Sequence, residues 1–176
     1  IQADGKIVLV GSDTQGQANY TEVFAARFTG NGQVDNTFVG NGFNIIDTIP
    51  NYRYAGGAAV AIQNDGKIVI SGDMMDNDGK NDLILVRLNQ DGLLDRTGFG
   101  ANGNGTVSTL IPYLQTNVGA LTLQGDGKIV VVGTSNDNLM LARYNTNGVL
   151  DATLGGTGIV TTDLGSTEEA NDLVIQ

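Results

Sequence analysis

The chain contains no cysteine, no histidine and no tryptophan, and only two prolines among 176 residues. Without cysteine there are no disulfides, thiolate nucleophiles or thiolate metal sites, and the redox compartment is left open. Without histidine the commonest general base and zinc ligand is missing, and with it every His-dependent catalytic triad. No stretch approaches the roughly 18 apolar residues of a membrane-spanning helix, so no membrane insertion is expected. The sequence opens on Ile1 in mid-pattern without a basic-apolar leader, which leaves localisation unwritten. Basic residues are also scarce: 9 against 19 acidic ones give a formal charge of −10. A field of that sign repels phosphates, so nucleic acid is not an expected partner.

Glycine, by contrast, is abundant, at 26 residues without a collagen-like period. That fits many turns joining short strands, hence an all-β chain, and its length suits a single repeat domain spanning residues 1–176. One heptad is written three times: Gln2-Ala3-Asp4-Gly5-Lys6-Ile7-Val8, Gln63-Asn64-Asp65-Gly66-Lys67-Ile68-Val69 and Gln124-Gly125-Asp126-Gly127-Lys128-Ile129-Val130. Asp-Gly between apolar runs signals a β-hairpin, and the simplest expectation is a type I′ turn. Taking glutamine as the marker, Gln2, Gln63, Gln124 and Gln176 delimit periods of 61, 61 and 52 residues. Periods of this kind indicate a propeller, solenoid or array.

Each period reads as four short strands. In the second they are residues 58–63, 67–72, 82–89 and 106–109, with a polar rim loop expected at 73–81. Repeat boundaries fall near 1–57, 58–118 and 119–169, and residues 170–176 read as the opening strand of a further unit. Runs such as Ile7-Val8-Leu9-Val10 and Leu83-Ile84-Leu85-Val86 do not alternate apolar with polar residues, so both faces of each sheet must be covered. Stacked four-stranded propeller blades do this; a two-layer sandwich with wet outer faces does not. The fold expected is therefore tandem antiparallel blades of β-propeller type, three in one chain.

The Gln-x-Asp-Gly-Lys-Ile-Val turn, the tract from Leu141 to Asp151, and the Gly-rich segment and Val-Thr strand that follow resemble the bacterial Delta-60 repeat, an uncharacterised β-propeller repeat family. The resemblance covers essentially the whole chain. It implies a blade-like repeat of large, often secreted or surface-associated bacterial proteins, hence an extracellular or cell-surface setting, and it implies no catalytic residue.

Three blades are too few for a ring, since propellers have about 4 to 8. An unpaired apolar strand is an aggregation template. The expected outlets are further blades of a longer chain or self-association, in which Ala170, Leu173, Val174 and Ile175 of one copy pair beside Ile7, Val8, Leu9 and Val10 of the next. Such a head-to-tail contact gives a ring if the rotation closes and a filament otherwise.

Several side-chain groups recur or stand out. Asp4, Asp65 and Asp126 with Lys6, Lys67 and Lys128 read as turn chemistry with solvated or locally paired lysines. Arg27, Arg87 and Arg143, each eight residues before Asp35, Asp95 and Asp151, read as an ion pair within each blade. Asp76-Asn77-Asp78-Gly79, flanked by Asp73 and Asp82, is the arrangement that would suit Ca²⁺, the one cofactor the sequence suggests, although Met74 stands where a further carboxylate is wanted. Against it stands a plain acidic hairpin. Tyr52, Arg53, Tyr54 and Tyr113 lie at one phase of the repeat, as a contact surface for protein or glycan or as corner packing. Asn19-Tyr20-Thr21 and Asn104-Gly105-Thr106 are sequons only in a glycosylating setting. The reading is a non-enzymatic structural or adhesive module; the alternative is a ligand-, glycan- or calcium-binding propeller, or part of a propeller enzyme whose site lies in other sequence.

Overall fold

The computed structural model describes residues 1–14, 21–46, 52–111 and 116–176. Its strands form three antiparallel meanders. The first comprises β1 (Ile7–Asp13), β2 (Glu22–Phe28) and β3 (Phe43–Ile46). The second comprises β4 (Tyr52–Ile62), β5 (Ile68–Asp76), β6 (Asn81–Leu88) and β7 (Thr106–Leu110). The third comprises β8 (Thr116–Leu123), β9 (Ile129–Ser135), β10 (Asn138–Tyr144) and β11 (Ile159–Thr162). Chain neighbours pair in every sheet, and the first sheet has three strands where the others have four. These are propeller blades, and among the described residues the first has no counterpart of β4 or β8.

The repeated turn differs from the type I′ expectation. Gly5, Gly66 and Gly127 adopt φ of 82°, 80° and 83°, whereas the aspartates before them stay out of the left-handed region. Each glycine N–H donates to the glutamine carbonyl three residues back, and each glutamine N–H donates to the lysine carbonyl. This is a type I turn closed by a glycine bulge, which needs positive φ at one residue only. The aspartate side chain accepts the lysine N–H, at 3.2, 3.1 and 3.1 Å, and fixes the bend. The type I′ signature appears elsewhere, at Asn136 and Asp137 (φ 50° and 65°) between β9 and β10.

Stacking of the sheets creates two cores. One lies between the first and second sheets, with Val8, Val23 and Phe38 meeting Ile68, Ile70 and Ile84. The other lies between the second and third, with Val69, Leu83 and Phe99 meeting Ile129, Val131 and Met140. Successive residues of β5 and β6 thus point into different cores, which is why these strands are continuously apolar. Burying such side chains contributes roughly 1.5–3 kcal/mol each.

The stretch 73–81 is less of a loop than the sequence suggests. Strand β5 runs to Asp76 and β6 starts at Asn81, so the extra residues mainly lengthen a hairpin. The opening strand β4 likewise starts early, at Tyr52, and carries register shifts between Tyr52 and Tyr54 and between Gly57 and Ala59. Residues 170–176 form no ladder among the described residues. They lie against the third sheet, so close that a Cβ on Gly119 would overlap the carbonyl of Ala170. Leu173, Val174 and Ile175 border a pocket shared with Val130, Val132 and Leu141. In the repeat, Leu173 and Ile175 correspond to Val60 and Ile62 of β4, which pack on the first core in the same manner.

Candidate functional site

The most regular polar feature is a four-residue cluster at the turn end of every blade. Arg27, Arg87 and Arg143 donate through Nε to Oδ2 of Asp35, Asp95 and Asp151 at 2.7, 2.7 and 2.8 Å. Lys6, Lys67 and Lys128 reach the same oxygens at 3.4, 3.0 and 3.0 Å. The other carboxylate oxygen accepts the hydroxyl and the N–H of Thr37, Thr97 or Thr153, two residues on. The carboxyls are consequently held well below the usual range. The Thr37 hydroxyl leads for Asp35 and the Thr153 hydroxyl, then Lys128, for Asp151. For Asp95 burial pushes upward, and the bonds from Thr97 and Lys67 outweigh it.

Chemically the cluster is closed. Its carboxylates accept charged and neutral donors at once, so they are poor proton acceptors near neutrality. The expected Arg–Asp pair is there in all three blades. The lysines do more than expected: besides Asp4, Asp65 and Asp126 of their own turns, they complete the cluster. The threonines escaped the sequence reading, although Asp-x-Thr recurs at 35–37, 95–97 and 151–153.

A second role of two of the arginines is also invisible locally: Arg27 and Arg87 each fasten their blade to the next. Arg27 Nη1 donates to the Gln90 carbonyl, and Arg87 Nη1 to the Thr146 carbonyl at 2.9 Å. The guanidinium carbons sit 4.8 Å over the Phe38 ring and 4.4 Å over the Phe99 ring. Those rings press on Gly92 and Gly148 of the following blade, where any Cβ would come within 2.5 and 2.9 Å of ring carbon. Beside them, the Val39 N–H donates to the Asp91 carbonyl at 2.9 Å and the Gly100 N–H to the Asn147 carbonyl at 2.8 Å. Arginine, aromatic ring and one backbone N–H therefore make a staple, used twice.

At the third blade the same parts have no acceptor among the described residues. Arg143 is bound to Asp151 and Thr153 of its own blade. Its side chain is 21% exposed, against 5% and 9% for Arg27 and Arg87. Leu154 stands where Phe38 and Phe99 stand, bordering the pocket beside the final segment.

Among the described residues, the remaining singled-out side chains do not converge on a site. Asp76 Oδ1 accepts the N–H groups of Asp78 and Lys80, closing its own hairpin, and Asp82 accepts from Ser108. Asp73 lies on β5, where burial raises its carboxyl. Among the described residues no three acidic side chains are grouped to hold a metal ion, so Asp73, Asp76, Asp78 and Asp82 form no such cage. The strand pairing explains this: Asp73 and Asp82 belong to the hairpin's ladder, Asp76 ends β5 opposite Tyr52, and Asp78 lies in the turn. Tyr52 is a buried core residue, Arg53 is exposed and Tyr54 half-buried in the same strand. Tyr113, Asn19 and Tyr20 lie outside the described residues, and the Asn104 side chain accepts the Thr106 N–H at 3.2 Å.

A family described as a β-propeller domain of unknown function, DUF5122, matches residues 2–38, 63–97 and 124–154. The chain belongs to this family. Each matched stretch runs from the glutamine of the repeated turn to the start of the Gly-rich segment, so it contains the lysine, arginine, aspartate and threonine of one cluster. The DUF5122 match thus contains the whole charged cluster of each blade. A comparison with curated proteins gives no match.

Proposed function

We propose that the chain is a non-enzymatic structural module built of Delta-60-type repeats, serving as scaffold or adhesive surface in a secreted or cell-surface bacterial protein and associating head to tail. One observation carries this reading: the recurring charged side chains are spent on one another within each blade and, through Arg27 and Arg87, on fastening it to the next, and at the third blade that fastening has no acceptor among the described residues. Catalysis wants a polar set that breaks the repeat in one place, whereas a scaffold wants the repeat itself. An added blade covers the open faces, and an added strand completes the first sheet.

The test is the mass of the protein in solution across a wide concentration range, with imaging of the heavier species. Rings or filaments are the expected result; a lone monomer at every concentration overturns the reading. A second reading has a specific observation in its favour: a groove of about 490 Å³ between the second and third blades, lined by Gln63, Asp65, Gln124, Asp126 and Thr146. Amides and carboxylates of this kind suit a hydroxyl-rich ligand such as a glycan. Saturation-transfer NMR with oligosaccharide mixtures checks it, and signals that stay unchanged remove it.

A further inference from the structure

Each inter-blade contact has a donating half and a receiving half, and one copy of each has no partner among the described residues. The donating half, on the third blade, consists of Arg143 Nη1, the N–H of Gly155, and Leu154. The receiving half, on the first blade, is the turn after β2. By position, Gly30 matches Gln90 and Thr146, Asn31 matches Asp91 and Asn147, and Gly32 matches Gly92 and Gly148. No described donor takes the carbonyls of Gly30 or Asn31. A Cβ on Gly32 would meet nothing within 4 Å, unlike one on Gly92 or Gly148.

Strand β1 carries a second mark of something missing. Gly11, Gly72 and Gly133 occupy the same place in their blades. Added Cβ atoms at Gly72 and Gly133 would overlap the carbonyls of Gly56 and Asn117 in the adjoining opening strand. The glycines there make room for a bulged neighbour. At Gly11 the same space is empty. The apolar face alongside is also uncovered: Leu9 is 51% exposed where its counterpart Ile70 is fully buried, and Val34 is 53% exposed.

Resting on the reading of head-to-tail association, we propose that the third blade's open face docks the first blade of a second copy of this chain in the geometry of the internal contacts. Arg143 donates to the Gly30 carbonyl of that copy, the Gly155 N–H donates to its Asn31 carbonyl, and Leu154 seats on its Gly32. The final segment pairs along its β1 with the carbonyl of Glu169, the counterpart of Gly56 and Asn117, over Gly11. A second copy is the occupant because both halves lie on one chain and match, part for part, contacts that this chain already makes twice. Ile70, the counterpart of Leu9 inside the chain, is fully buried, and Leu94 and Leu150, the counterparts of Val34, are partly buried, so the uncovered residues Leu9 and Val34 call for the same cover.

Two variants separate this from other modes of association. Gly11→Val adds a side chain into open space in the lone chain, at a position with ordinary φ, and blocks the docked carbonyl. The chain lacks cysteine, so Asn31→Cys and Leu154→Cys made in separate preparations report on a single contact when mixed. Expected by sedimentation are unchanged unfolding of Gly11→Val with association weakened about 100-fold or more, and a disulfide-linked pair in the cysteine mixture that neither preparation forms alone. If the unmodified chain associates, Gly11→Val associates equally and no mixed disulfide forms, this docking mode is wrong while head-to-tail association survives. If the unmodified chain never associates, the broader reading fails and takes this one with it. Should Gly11→Val fold poorly, the cysteine mixture decides alone.

Discussion

The second and third blades carry the same cluster in different surroundings. Around Arg87 the next blade supplies a carbonyl, Phe99 is fully buried, and Asp95 is sealed at 0% side-chain exposure. Around Arg143 no following blade is present among the described residues, Leu154 replaces the ring, and the guanidinium keeps a view of solvent. The local sequence is nearly the same, so the difference isolates what a neighbour contributes. An ion pair open to water contributes little to stability, while one enclosed by a neighbour is costly to break on either side.

This contrast can be broken in several ways. The largest effect is expected from removing one partner of the sealed cluster. Arg87→Met leaves Asp95 buried with Lys67 as its one charged partner in the cluster beside the Thr97 bonds, and should lower the unfolding free energy by roughly 3–5 kcal/mol. Arg143→Met should cost much less, and urea titration of both gives the difference. Comparable in size, Phe99→Ala empties the space over Gly148 and should cost about 3–5 kcal/mol. Leu154→Ala, at the open counterpart, should cost far less in dilute protein. A third pair probes backbone room: Gly72→Ala drives a methyl into the Gly56 carbonyl and should cost upward of about 1–3 kcal/mol as an overpacked site. Gly11→Ala should be neutral or stabilise by up to about 1 kcal/mol through the unfolded chain.

Smaller effects come from protons. Asp35, Asp95 and Asp151 have depressed folded-state values. Their stabilisation is complete above the unfolded carboxylate value of about 3.9 and is lost as pH falls below it toward the folded values. Melting temperatures measured from pH 7 to pH 2 should fall below about pH 4, and Asp95→Asn should flatten that fall. Asp73 has the opposite sign, since burial raises its folded value. Its charge destabilises the fold above that value and ceases to do so as pH drops to the unfolded one. Asp73→Asn should therefore raise the melting temperature slightly at pH 7 and not at pH 3.

Much of the architecture was legible because repetition exposes it. Repeated Asp-Gly turns marked hairpins, and unalternated runs such as residues 83–86 required cover on both faces, which the stacked blades supply. The eight-residue spacing of arginine and aspartate located their pairing, since a single turn brings them together. What stayed hidden is what depends on distant backbone. The acceptors of Arg27 and Arg87 are carbonyls of Gln90 and Thr146, and a carbonyl carries no residue identity to read. The turn type was missed because only glycine enters the left-handed region there, a distinction of φ at the aspartate that Asp-Gly does not settle. The acidic stretch 73–82 leaves a calcium loop and a plain acidic hairpin both open in one dimension; in three, Asp73 and Asp82 pair in the ladder, Asp76 ends β5 and Asp78 lies in the turn.

Amide hydrogen exchange tests the central claim, that one staple is filled twice and waits open at the third blade, most directly. In dilute protein the N–H groups of Val39 and Gly100 should be protected and that of Gly155 should exchange quickly, and raising the concentration should slow Gly155 alone. Equal exchange at all three in dilute protein, or an unchanged Gly155 in protein that has plainly associated, would contradict it.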